Sequence, residues 1–321
     1  MKQLLISSLL ILLSGVTFAQ TYALSRGGDR SFRIINEKTI SIPLVKEKGF
    51  NQQKDIYRVI EHDGYYDCYF SCIDKDTRTA GDIKTPHYRE VYRVSIESGE
   101  VLAPVTRVFK EPENEAPFYE DANWICQTCD HGEFGAYTWL IEKATGKEFL
   151  YELDTRSINS VESAYLITTP LALYRIASPA VGVPCQDKTR FEEREDVSLE
   201  CYGNLPLNEP ELIYQIPVQN YIQDSDALID YEDEPAIPCF VSSLFLDNEY
   251  YIIRKDNRSF IGQIVNQQIK KVYQFPFLLS KASSRNDTQL YIRNGLKGMG
   301  FVVINGYDIT LYNIEFVPLS K

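Results

Sequence analysis

Tyr92–Val101 reads YRVSIESGEV: a short strand rich in apolar and aromatic residues, a tight polar turn, and a second strand. Serine and glycine at the turn tolerate left-handed backbone or bond their own backbone two positions on, which is why the chain reverses there. The same phrase returns in variants. It begins at Phe32 (FRIINEKTISIPLV), Tyr69 (YFSCIDKDTRTAGDI), Thr138 (TWLIEKATGKEFLYEL), Tyr250 (YYIIRKDNRSFIGQIV) and Phe301 (FVVINGYDITLYNIEF). The apolar positions Val303, Ile304, Ile309, Leu311 and Ile314 fit strands broken at Asn305-Gly306 better than spacings of three and four.

The expected class is therefore all-β, built of repeated antiparallel hairpins. The gap between Thr138 and Tyr250 holds two more candidate units, AYLITTPLALYRIA from Ala164 and ELIYQIPVQNYI from Glu211. A mean spacing of roughly 40 to 50 residues is that of a four-stranded propeller blade, and it predicts six to eight blades. The spacing is irregular and there is no Trp-Asp or Gly-His signature, so tandem β-sandwiches are the alternative.

Residues 1–19 carry one lysine, an apolar run from Leu4 to Val16, and small residues before Gln20, the pattern of a secretory signal peptide. The run is broken by Ser7, Ser8 and Ser14 and falls short of the roughly 20 residues that a membrane helix needs. The expectation is a secreted or periplasmic protein whose residues 20–321 form one all-β repeat domain with no transmembrane segment.

Charge is unevenly spread. The chain holds 33 basic and 45 acidic residues, a net of −12. Between Asp187 and Glu234 there are 14 acidic residues against 3 basic ones, a net of −11. Between Tyr250 and Gly300 the balance is 9 basic to 2 acidic, a net of +7. The densest acidic group is Asp224, Asp226, Asp230, Glu232, Asp233 and Glu234, on a stretch too polar for a central strand. One reading is a solvated face that keeps an exported chain soluble. The other is a docking face, since like charges held together speed encounter with a basic partner. Asp224, Asp226 and Asp230 are also spaced like calcium ligands, but the glycine and terminal glutamate of an EF-hand loop are missing. A pI near 4.9 argues against nucleic acid as a partner for the whole chain.

Seven cysteines in an exported chain predict disulfides. Cys185 and Cys201 flank a charged insert, and their bridge closes a loop of about 15 residues, worth roughly 3 kcal/mol in the chain-entropy model. Cys239, in the apolar PCFVSSLF, reads as an inert thiol. Cys126 and Cys129 have the C-x-x-C spacing of redox dithiols and zinc sites. The run GEFGAYTWLIE just after them reads as turn and strand, which argues against redox chemistry. A structural zinc would take Cys68, Cys72, Cys126 and Cys129, with His131 as a substitute.

No nucleophile elbow, P-loop or dinucleotide fingerprint occurs. The function the residues favour is a non-enzymatic binding protein that shows an acidic loop face to a macromolecular partner. The alternative is a carbohydrate-active or carbohydrate-binding protein. It would use paired carboxylates in a propeller pocket and stacking aromatics drawn from Tyr65, Tyr66, Trp124, Tyr137 and Trp139.

Overall fold

The computed structural model describes residues 31–44, 52–74, 89–103, 106–108, 117–130, 135–161, 164–185, 207–217, 238–281, 289–294 and 298–318. These residues form five sheets arranged as a β-propeller. Blade 1 is β2 (Gln52–His62), β3 (Tyr65–Asp74), β4 (Arg89–Ser95) and β5 (Thr106–Val108). Blade 2 is β6 (Tyr119–Glu120), β7 (Trp124–Asp130), β8 (Ala136–Glu142) and β9 (Glu148–Tyr151). Blade 3 is β10 (Ser157–Val161), β11 (Ala164–Thr168), β12 (Ala172–Ile176) and β13 (Glu211–Gln215). Blade 4 is β14 (Cys239–Phe245), β15 (Glu249–Lys255), β16 (Arg258–Val265) and β17 (Gln268–Gln274). Blade 5 is β18 (Leu278–Lys281), β19 (Leu290–Asn294), β20 (Met299–Asn305) and β21 (Asp308–Pro318). Among the described residues no helix is long and apolar enough to cross a membrane.

The hairpin reading holds where turns are local. In YRVSIESGEV, Val94 bridges Val101, the Ser95 amide donates to Glu100 O (2.9 Å), and Gly99 turns the chain at φ +76°. Asn305-Gly306 and Asp256-Asn257 likewise join paired strands.

The blade count is five, not six to eight, for two reasons. A blade contains more than one hairpin, so the phrases at Tyr69 and Tyr92 fall in the same blade. The runs from Ala164 and Glu211 also share a blade, because β13 is separated from β12 by a long insertion yet pairs with it.

FRIINEKTISIPLV is not a hairpin either. Residues Arg33–Leu44 form one strand, β1, which pairs in parallel with β21 as the fifth strand of blade 5. Its turn-like Asn36-Glu37-Lys38 pairs in unbroken register with Thr310, Leu311 and Tyr312, just after a register shift between Ile34 and Asn36. β1 also ties the ring's ends together: Lys38 Nζ donates to the carbonyls of Ile96 (2.5 Å) and Glu97 (2.8 Å) in the blade 1 turn.

The core lies between blades, because each strand sends alternate side chains to the two faces of its sheet. One cluster joins blade 5 to blade 1, with Ile40 and Ile42 of β1 packed among Phe70, Tyr92, Leu290 and Phe301. Phe301 stacks on Tyr312 at 4.4 Å while Tyr66 meets both rings edge-on, an arrangement worth ~1 kcal/mol per pair beyond burial. Comparable clusters join blades 4 and 5, 2 and 3, and 3 and 4.

Polar clasps add direction to this packing. Asp121, in the β6–β7 turn, accepts bonds from the Asn123 and Trp124 amides (2.8 Å each) and from the hydroxyls of Tyr119 (3.0 Å) and Tyr165 (2.7 Å), the last on the next blade. Burial pushes the Asp121 carboxyl up, but those four bonds together hold it below its ordinary value of 3.8. Its stabilisation is thus complete above that value and lost as pH falls through the lower folded one. Asp121→Asn should cost about 1 kcal/mol at neutral pH, a figure discounted for partial exposure. In urea melts taken down to strongly acid pH, the gap between parent and variant should close.

Candidate functional site

The six acids Asp224, Asp226, Asp230, Glu232, Asp233 and Glu234 lie outside the described residues. What the structure fixes is the base of the segment that carries them. The Ile216 amide donates to Leu171 O (2.8 Å) and the Phe240 amide donates to Pro170 O (2.7 Å). Both ends of residues 217–239 are therefore pinned to one turn, that between β11 and β12. This turn closes easily because Thr169 Oγ1 accepts the Ala172 amide at 3.1 Å.

Beside that base is a cavity of about 540 Å3 at the end of blade 4. Its corner is the two-residue turn Asp256-Asn257, where Asp256 takes φ +52° and brings Lys255 opposite Arg258. Lys271 comes from the neighbouring β17, its ammonium 5.1 Å above the ring centre of Phe260 and donating to Gln274 Oε1 at 2.8 Å. Pro238, Phe260 and Ile269 supply the apolar part of the wall. Among the described residues, three cations and one carboxylate thus face a single space. The sequence signal for it was the basic excess between Tyr250 and Gly300. Nothing in the spacing singled out these three cations, because they converge across two strand pairings.

Cys68, Cys126 and Cys129 are not brought together. A strand alternates every residue, so Cys126 and Cys129, three apart on β7, face opposite sides of blade 2. Cys126 is buried in the core shared with blade 3, while Cys129 packs near Trp139 and Leu150 on the other face. Cys68 is buried between blades 1 and 5. Cys68, Cys126 and Cys129 thus lie in three different places of the core, and the Cys72 side chain, the fourth of the zinc reading, lies outside the described residues. Burial pushes the thiols of Cys68 and Cys126 far up, which removes thiolate character at neutral pH. Among the described residues there is no disulfide pair. Cys185 is half-buried beside β9, its amide donating to Glu148 O at 2.8 Å, and Cys201 lies outside the described residues. Cys239 opens β14, its thiol raised by burial against the opposing pull of Arg254 and Arg156.

Of the aromatic candidates for stacking, Tyr66, Trp124 and Trp139 are core residues. Tyr65 is more exposed but already occupied: the His62 ring stacks on it at 4.7 Å and the Arg93 guanidinium lies 4.1 Å from its centre. His62 faces Asp67 (Nε2–Oδ2 3.2 Å) rather than its chain neighbour Asp63, and Asp67 also receives Arg93 through two contacts of 3.0 and 3.2 Å. The bond to Asp67 raises the Arg93 pKa. With both carboxylate oxygens engaged, this group is a clasp across β2, β3 and β4. His87 and His131 lie outside the described residues.

No protein-family model matches this sequence, and no curated protein matches it. The functional reading therefore rests on the chain's own geometry.

Proposed function

We propose that this is a non-enzymatic binding protein, exported from the cytoplasm, that presents Asp224, Asp226, Asp230, Glu232, Asp233 and Glu234 to a basic macromolecular partner. The observation that supports it is the pinned base: the segment starts and finishes on the Pro170-Leu171 turn of a tightly packed blade. Glu234 stands four residues ahead of Pro238, where the described chain resumes beside that turn. Like charges grouped in one segment raise a summed field that steers a cationic partner, and on a packed propeller the cost of ordering the scaffold is met before the encounter. Loops on a rigid frame carry contacts in many propellers for the same reason.

A crosslinked pull-down from the extracytoplasmic compartment tests it, with the mature chain compared with a variant in which the six acids are changed to Asn and Gln. The parent should capture a basic protein, and the equally stable variant should capture at least tenfold less. Equal capture by both sinks the proposal. Of the five aromatics named for the carbohydrate alternative, Tyr66, Trp124 and Trp139 are buried in the core.

A further inference from the structure

Among the described residues the cavity at the end of blade 4 is lined by groups of net positive charge, opposite in sign to the stretch Asp224 to Glu234. We propose that it binds an acidic saccharide, a sugar ring bearing a carboxylate or sulfate group. Arg258 and Lys271 are exposed on separate strands and both line the space. An anion entering it meets a guanidinium able to grip two oxygens and an ammonium held in place by Phe260 and Gln274.

The rest of the wall selects among anions. Asp256 sits among the cations and repels a plain inorganic polyanion, but it accepts bonds from hydroxyl groups. The Asn257 amide both donates and accepts, which suits neighbouring hydroxyls on one ring. Pro238 and Ile269 give an apolar surface for the C–H face of such a ring. A cavity of about 540 Å3 lies within the size range of small-molecule sites. Oxyanion, hydroxyls and an apolar face occur together in an acidic sugar.

The test is titration calorimetry on the full mature chain with three tetrasaccharides: a sulfated heparin fragment, tetragalacturonate and neutral maltotetraose. At least one charged probe should bind, and the neutral one should bind at least tenfold more weakly. Arg258→Gln and Lys271→Gln should each lower that affinity about tenfold, while Arg258→Lys and Lys271→Arg retain most of it. Both positions are exposed, so the melting temperature should not move. Which charged probe binds tells carboxylate from sulfate. Three results overturn the inference: neither charged probe binding at millimolar concentration, Gln variants binding as tightly as the parent, or tripolyphosphate binding as tightly as the sugars.

Discussion

Replacing Lys54 with methionine should destabilise the protein by about 3–5 kcal/mol, as expected when one partner of a buried ion pair is removed. Lys54 on β2 and Glu90 on β4 form an ion pair whose side chains are only 3% and 5% exposed. The Tyr92 hydroxyl also donates to Glu90 Oε2, at 2.8 Å. Without the ammonium, the carboxylate remains in a site that gives it one hydroxyl donor and little water. The pair itself need not be stabilising, because desolvating both charges costs about as much as their attraction returns. Lys54→Met/Glu90→Leu should therefore recover most of the loss. Urea melts of the two single variants and the double variant give the coupling directly. A single variant within about 1 kcal/mol of the parent would mean that the pair is hydrated.

Gly300→Ala should be comparably damaging, by more than about 4 kcal/mol, through a different cause. A Cβ at Gly300 would stand 2.0 Å from the Tyr312 carbonyl oxygen and 3.1 Å from its carbon. Both are backbone atoms of the adjacent strand, so no rotamer change relieves the clash; β20 and β21 must part. That seam carries the Phe301–Tyr312 stack and, one strand further out, β1. Gly306 is the control. Its φ is +61° and a Cβ there meets nothing within 4 Å, so Gly306→Ala should cost only the left-handed backbone strain of about 1–2 kcal/mol. Thermal melts should rank Gly300→Ala far below Gly306→Ala, and equal melting temperatures would contradict the close strand approach.

These residues mark what a sequence reading can and cannot reach here. The hairpins were legible because their information is local: Ser98-Gly99, Asn305-Gly306 and Asp256-Asn257 reverse the chain wherever they stand. Blade number was not, because it depends on which strands share a sheet. The insertion between β12 and β13 stretched the apparent period, and parallel pairing with β21 overrode the turn chemistry of Asn36-Glu37-Lys38 in β1. The C-x-x-C spacing left the placement of its two thiols open for a related reason. It brings two thiols together on a helix or tight turn, but on a strand an odd separation sets them on opposite faces. Lys54 and Glu90 were illegible because 36 residues and a whole strand separate them. The charge contrast was readable from composition alone, whereas the convergence of Lys255, Arg258 and Lys271 on one cavity needed the register of β15, β16 and β17.

Whether the acidic segment is the docking face can be read by hydrogen exchange on the full chain, alone and with the captured partner. New protection should concentrate in residues 217–239, with the blade strands already slow to exchange in both states. Protection confined to other loops, with residues 217–239 unchanged, would show that the partner docks elsewhere and that the acidic segment is only a solvated face.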